Sequence, residues 1–222
     1  MNGKIMFSIA ELKAAQVLGS GANRYCVISP HNRNICLKII LPPEERLTKN
    51  WRQKLQRYLS SRFIRFNENY IEWIAYKRLT QEIPEDILKQ YIAPCIHVEQ
   101  HALGLILSAE LVRNQNGEIS LSLHHYLKHK IFIDVEQVCQ AIDEFTLWLI
   151  KHNIPLFDLN SGNVVVQHID QSIQLKCIDV KSTFKSKEII PLSYWSRKLM
   201  HKKIRRRAER LKQLIQKNMQ WE

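Results

Sequence analysis

The chain of 222 residues carries a formal net charge of +12, and 45% of its residues are hydrophobic. This composition excludes a disordered chain and is typical of one globular domain or two small lobes. Its apolar runs are far shorter than the roughly 20 residues of a membrane-spanning helix, and we expect no secretory signal. The five cysteines form no CxxC pair, so we expect reduced thiols in the cytoplasm rather than disulfides or a zinc site.

The first half of the sequence predicts a β-rich region with one helical insertion. Residues 17–40 alternate apolar stretches with a glycine turn and a polar turn, which predicts three strands. Apolar residues then repeat at helical spacing between residues 43 and 79. Two further strands are expected at residues 92–99 and 103–112.

The second half predicts helices around one β-hairpin. A helix is expected over residues 134–151, with Asp134 as its N-cap and one apolar stripe. The segments VVVQ and IQLKCI flank a polar turn and predict the hairpin. Residues 192–219 are expected to form basic helices. In this order the elements predict an α+β fold, with a β-rich first lobe and a mostly helical second lobe.

A short glycine turn separates the first two predicted strands. Glycines at such a turn let backbone N–H groups approach a phosphate closely, although two glycines alone predict only a turn. The candidate nucleotide-contacting residues of this turn are Gly19, Ser20, Gly21 and Arg24.

A lysine and a glutamate follow as a candidate pair. Lys38 alternates with apolar residues in the third predicted strand, so we expect it to face away from the core and to reach phosphate groups. Alone, it would be interpreted as a solvated lysine. Glu72 on the inserted helix is the carboxylate expected to hold it, and Glu68, one turn earlier, is a competitor.

The loop LFDLNSGN precedes the hairpin and contains Asp158 and Asn163, while Asp179 follows the second hairpin strand. Phosphoryl transfer needs a carboxylate to orient the attacking hydroxyl and oxygen ligands for a metal ion. We therefore expect Asp158 to be the catalytic base, and Asn163 and Asp179 to bind Mg²⁺. A turn-forming role is the alternative for Asp158 and Asn163. Asp179 follows an apolar strand, where a carboxylate does not stabilise the hydrophobic core, and this favours a role as a metal ligand.

The ordered set of glycine turn, strand lysine, helix glutamate, D-x-x-x-x-N, hairpin and aspartate resembles the protein-kinase-like fold from Val17 to Ser182. The resemblance implies a bilobal α+β fold, with an N-lobe over residues 1–112 and a shortened C-lobe over residues 113–222. It implies ATP and Mg²⁺ as cofactors. It also implies that adenine contacts backbone groups at Ala109, Glu110, Leu111 and Val112.

Two narrower resemblances follow. The DLNSGN loop is similar to that of small-molecule kinases such as aminoglycoside phosphotransferases. The chain length, the CLKII and IDVKSTF segments and the basic C-terminal segment resemble the bacterial YrbL family of PhoP regulatory network proteins. This resemblance implies a kinase-like fold and a nucleotide site. It leaves the hydroxyl acceptor open among a sugar, a lipid-linked saccharide and a protein.

Several positions depart from the protein-kinase pattern. Leu156 stands where many kinases place histidine, Phe157 where many place arginine, and Asn160 where protein kinases place lysine. Asp179 is followed by Val-Lys rather than Phe-Gly. We expect these departures to disfavour peptide phosphorylation and control by an activation loop, with the metal-binding pair intact.

Positive charge is concentrated in residues 181–222, which hold 13 Lys and Arg against 3 Asp and Glu. The segment predicts either a helix packed on the C-lobe with a solvated cationic face, or contact with an anionic partner. A phospholipid surface at the inner face of the membrane is one such partner. Nucleic acid is disfavoured, because no RNA-recognition or zinc-finger pattern is present.

These observations lead to one hypothesis and two alternatives. The leading hypothesis is an ATP- and Mg²⁺-dependent phosphotransferase that acts on a hydroxyl acceptor. The first alternative is an inactive, nucleotide-binding pseudokinase or regulatory protein that uses its basic segment to bind an anionic partner. The second is a nucleic-acid-binding protein in which the kinase-like pattern is inert.

Overall fold

The computed structural model describes residues 7–42, 45, 58, 62–183 and 196–219. The chain packs as two compact units, Met1–Lys77 with Pro94–Leu111, and Arg78–Ala93 with Val112–Glu222. The second unit thus includes a stretch, Arg78–Ala93, that lies within the 1–112 lobe expected from the sequence. Packing explains this placement, because Ile92 forms a parallel β-bridge with Cys177.

The first unit is built on a five-stranded antiparallel sheet with the order β1-β2-β3-β5-β4. Its strands are β1 Val17–Ser20, β2 Arg24–Ile28, β3 Ile35–Ile40, β4 Cys95–His101 and β5 Gly104–Glu110. Helix α1, Ile9–Ala14, precedes the sheet and begins with a capping box in which Ser8 and Glu11 bond each other's backbone N–H groups. Helix α2, Glu68–Glu82, lies between β3 and β4 in the chain.

The alternation of side chains along β3 separates the core of the first unit from its polar groups. Leu37 and Ile39 are buried in an apolar cluster with Val27 of β2 and Leu12 of α1. Because successive side chains of a strand point to opposite faces, Lys38 lies on the other face, directly opposite Cys26 of β2. The apolar cluster therefore lies on one face of the sheet, and the side chains of Lys38 and Cys26 lie on the other.

The second unit is mostly helical and contains one hairpin. Its elements are α3 Glu85–Tyr91, α4 Leu123–His129, α5 Val135–Lys151, β6 Val164–Ile169, β7 Ser172–Cys177 and α6 Arg197–Met219. Helix α5 packs against both α6 and β7. The fully buried ring of Phe145 stacks on Tyr91 at 5.6 Å between centroids. Helix α5 is thus the element on which α6, β7 and Tyr91 of α3 all pack.

Helix α5 follows directly from its sequence. The Asp134 carboxylate accepts hydrogen bonds from the backbone N–H groups of Glu136 and Gln137, which satisfies two donors of the first turn. The buried residues then recur at helical spacing, as Val138, Ile142, Phe145 and Leu149.

The structure confirms the α+β class, the three strands over residues 17–40, the following strand pair, the 134–151 helix and the hairpin. It adds α3 and α4, whose seven residues each are too short for a clear helical period. Of the basic helices expected over residues 192–219, the described residues 196–219 contain helix α6. Much of the 43–79 helical pattern and residues 192–195 lie outside the described residues. Within the described part, no helix is long and apolar enough to cross a bilayer.

Substitution Ile142→Ala is expected to lower the free energy of unfolding by about 2–5 kcal/mol, because it leaves a cavity at a fully buried position of α5. Leu147 of the same helix is 57% exposed, and Leu147→Ala is expected to change stability by less than about 0.5 kcal/mol. Urea unfolding of both variants measures the difference. Equal stability of the two variants would contradict the central position of α5.

Candidate functional site

The predicted site residues form two clusters, one in each unit. In the first unit, the Lys38 ammonium contacts Glu72 Oε1 at 2.5 Å. Lys38 is 5% exposed and Glu72 1% exposed, so both charges are buried. A buried charge is tolerated only when it is paired, which explains why the lysine and the carboxylate occur together.

The competition between Glu72 and Glu68 is decided by this geometry. Glu72 contacts Lys38, whereas Glu68 accepts a hydrogen bond from the Asn23 amide at 2.6 Å and lies 3.8 Å from Arg24 Nε. Arg24, a candidate nucleotide-contacting residue of the glycine turn, donates to Glu72 Oε2 at 2.5 Å. Two cations and two carboxylates therefore form one electroneutral cluster between the sheet and α2.

A buried asparagine ties this cluster to the sheet backbone. Asn69 Nδ2 donates to the carbonyl oxygens of Lys38 and Leu105, at 2.8 and 2.7 Å, and its Oδ1 accepts from Arg24 at 3.0 Å. The side chain is fully buried, so losing these bonds would leave polar groups unsatisfied. The sequence analysis did not single out Asn69. Its position three residues before Glu72, and so one turn away on the same helix face, was the available signal.

The glycine turn lies between β1 and β2. A Cβ built on Gly19 meets nothing within 4 Å, and one on Gly21 meets only the Arg24 carbonyl oxygen at 3.7 Å, an ordinary contact. Neither glycine has a positive φ. Within the described residues, therefore, neither backbone conformation nor packing requires glycine here.

A thiol with a lowered pKa lies opposite the buried lysine. A hydrogen bond from Cys36 and the positive charges of Lys38 and Arg24 lower the pKa of Cys26 to about 7, against the opposing effect of burial. The same hydrogen bond and burial raise the pKa of Cys36. The lowered pKa favours the thiolate form of Cys26, which the sequence alone did not indicate.

The segment predicted to bind adenine continues from β5. The backbone N–H of Glu110 donates to the Pro94 carbonyl and that of Leu111 to the Asn34 carbonyl, each at 2.9 Å. Ala109 is paired within the sheet, and the carbonyl of Val112 accepts from Ser120. Two N–H groups of the segment are thus already used by the fold, so adenine would have to bind other backbone groups.

In the second unit, the catalytic-loop candidate is held by its own asparagines. Asn160 Nδ2 donates to the Asp158 carboxylate at 3.0 Å, while Asn160 Oδ1 accepts from the N–H groups of Gly162 and Asn163. Ser182 Oγ accepts from the Asp158 N–H at 3.1 Å. The residue that replaces the kinase lysine therefore orients the candidate base. This role of Asn160 and that of Ser182 were not predicted.

Asn163 and Asp179 are brought to the same end of the β6–β7 hairpin. The Ile178 N–H donates to the Asn163 carbonyl at 2.9 Å, which continues the antiparallel register beyond the strands. Asn163 Nδ2 donates to the Asp158 carbonyl oxygen at 3.0 Å. Because the amide nitrogen is used in this way, Oδ1 is the atom that remains for a cation.

Asp179 is buried and already faces a positive charge. Its Oδ2 lies 3.0 Å from the Lys181 ammonium, and its Oδ1 accepts from the Lys181 backbone N–H at 3.1 Å. The carboxylate and the Asn163 amide oxygen fit Mg²⁺, which prefers one or two carboxylates and completes its shell with water and phosphate. Among the described residues, no cluster of three or more His, Cys, Asp or Glu side chains could hold a metal ion.

The solved structures that are similar to this chain include protein kinase domains. The PknI kinase domain of Mycobacterium tuberculosis, in a mutant form, is similar at 13% identity with a TM-score of 0.41, covering 79% of this chain and 61% of that chain. The kinase domain of maize sucrose-induced receptor kinase 1, bound to AMP-PNP, is similar at 13% identity with a TM-score of 0.45, covering 83% and 58%. The chain spans about three fifths of the length of these kinase chains.

A comparison with curated protein sequences finds no match. A family model described as PhoP regulatory network protein YrbL matches residues 10–217, which is nearly the whole chain. The chain therefore belongs to the YrbL family of PhoP regulatory network proteins.

Proposed function

We propose that this protein is an ATP- and Mg²⁺-dependent phosphotransferase that acts on a hydroxyl acceptor. The observation that carries the proposal is the link between Asp158 and Asn163, in which the asparagine amide bonds the backbone of the candidate base. The hairpin brings Asp179 to the same end. A carboxylate base beside two oxygen ligands is the arrangement that phosphoryl transfer uses.

The residues of the second unit would act on the acceptor and the metal ion. Bound Mg²⁺-ATP supplies the phosphoryl group and neutralises charge on its oxygens. The Asp158 carboxylate, oriented by Asn160, would orient the acceptor hydroxyl and receive its proton. Asn163 Oδ1 and the Asp179 carboxylate would hold the metal ion.

The residues of the first unit would hold the nucleotide. Lys38, fixed by Glu72, would donate to the phosphates, and the N–H groups of the Gly19–Gly21 turn would approach them. Arg24 would support this arrangement through Glu72 rather than by contacting phosphate. Adenine would contact the backbone of residues 109–112.

The alternative is a pseudokinase that binds nucleotide without transfer, and one observation favours it. The Lys181 ammonium lies 3.0 Å from Asp179 and so supplies a positive charge to the carboxylate that would hold Mg²⁺. Such a lysine would compete with a metal ion for the same oxygen. A nucleotide affinity that is independent of Mg²⁺ would support this alternative.

Thermal unfolding with ATP tests the nucleotide site. At a hundredfold excess over Kd, ATP with Mg²⁺ is expected to raise the Tm by about 5–10 °C. The shift should be small without Mg²⁺ and small for Asp179→Asn, with each variant compared with its own ligand-free Tm. Asp86→Asn, which changes an exposed carboxylate of α3, is the matched control and should keep the full shift. No shift in the wild-type protein would contradict the proposal, and an equal shift without Mg²⁺ would favour the pseudokinase.

Substitution Asp158→Ala is expected to reduce turnover about 10²–10⁴-fold, since it removes the base. Release of ADP measures turnover without a known acceptor, because water can replace the acceptor hydroxyl. The ATP-dependent Tm shift should persist in this variant, while Asp86→Ala should keep wild-type turnover. If Asp158→Ala turned over at the wild-type rate, its assignment as the base would be wrong.

The alkylation rate of Cys26 tests the environment of the first-unit cluster without a measurement of turnover. Because its pKa is lowered to about 7, the thiolate fraction and the alkylation rate should rise with pH and reach half of their plateau near pH 7. Iodoacetamide labelling followed by peptide mass analysis measures the rate, with Cys26→Ser as the control. Mg²⁺-ATP should slow the labelling, because Cys26 lies opposite Lys38 in the sheet. A midpoint above about 8.5, the usual range of a free thiol, would contradict the environment described here.

A further inference from the structure

The outer side of helix α6 carries a long strip of positive charge. The exposed basic residues that define this cationic face are Lys198, Lys202, Arg205, Arg206, Arg210 and Lys217. Most are three or four positions apart and so lie on one side of the helix, over a length of about 30 Å at about 1.5 Å per residue. Glu209 is the acidic residue within the strip.

Packing against α5 determines that the cationic face is the exposed side of α6. The opposite side of α6 is buried at Met200, Ile204, Ala208, Leu211 and Ile215, and α6 packs against α5. The Lys212 ammonium, at the border of the strip, bonds the Asp143 carboxylate of α5 at 2.9 Å. The helix therefore cannot rotate to bring its charges inward, and the strip stays exposed as a nearly straight surface.

Apolar side chains accompany the charged strip. Leu199 and Leu214 are exposed on α6 itself, and Leu147 is exposed on α5 at the groove that Arg205 and Lys212 also line. Phe132 is the most exposed of the large hydrophobic residues described, at 85%. It follows α4, which contacts α6 and ends in a basic turn. Exposed leucines and a phenylalanine around cations are what a membrane interface accommodates.

We propose that the cationic face of α6 docks peripherally on an anionic phospholipid membrane. The strip supplies the electrostatic attraction to lipid phosphates, and the leucines and Phe132 enter the boundary between headgroups and acyl chains. Phosphates of nucleic acid would satisfy the cations equally, but they offer no environment for exposed leucines. The proposal uses none of the candidate catalytic residues and does not depend on the proposed function.

Co-sedimentation of the full chain with vesicles tests this inference. Phosphatidylcholine vesicles containing phosphatidylglycerol should bind the protein, and phosphatidylcholine vesicles alone should not. The variant with Lys198, Lys202, Arg206 and Arg210 all changed to Gln should bind at least about tenfold more weakly. A control variant changes Lys13, Arg33, Lys77 and Lys151 to Gln, which are exposed residues outside α6. It loses the same net charge and should bind within about twofold of the wild type. Urea unfolding confirms that both variants fold.

The contribution of the exposed apolar side chains to membrane binding is tested separately. Phe132→Ser should weaken vesicle binding and leave binding to duplex DNA of equal phosphate concentration unchanged. The proposal is overturned if the wild-type protein does not distinguish anionic from neutral vesicles, or if the two fourfold variants bind alike. It is also overturned if duplex DNA binds more tightly than anionic vesicles, which would identify a nucleic-acid surface.

Discussion

A single buried carboxylate, Glu72, organises the first unit of this protein. It receives Lys38 from β3 on one oxygen and Arg24 from β2 on the other. Charges this well buried are stable only while every partner is present, since removal of one partner leaves an uncompensated ion in a low-dielectric environment. The burial of Lys38 and the attachment of α2 to β2 and β3 follow from this one constraint.

Hydrogen bonds from the same helix, α2, to the sheet backbone reinforce this ion cluster. Asn69, one turn before Glu72, bonds backbone carbonyls of both β3 and β5. The helix is therefore attached to the sheet by charge and by backbone hydrogen bonds together.

The second unit achieves precision by a different means. Its loop is fixed by short amide and hydroxyl contacts from Asn160, Asn163 and Ser182, around a hairpin that packs on α5. The Asp158 backbone N–H bonds the Ser182 hydroxyl, and the Asp158 carboxylate accepts from the neutral amide of Asn160. Asp179 is different, because Lys181 already balances it. The proposed transferase requires Lys181 to give way to a metal ion at this carboxylate, whereas the proposed alternative does not.

The sequence by itself determined the local elements and the order of the candidate groups. Period-two alternation predicted β3 with Lys38 on its polar face, and an N-cap with an apolar stripe predicted α5. The pattern D-x-x-x-x-N before a hairpin predicted the loop. Each of these signals lies within a few residues of chain. Tertiary structure alone decided which partners meet. It paired Lys38 with Glu72, joined Arg24 to the same carboxylate of α2, and placed Cys36 against Cys26. These choices depend on strand register and helix rotation between residues tens of positions apart, and local periodicity carries no information about either.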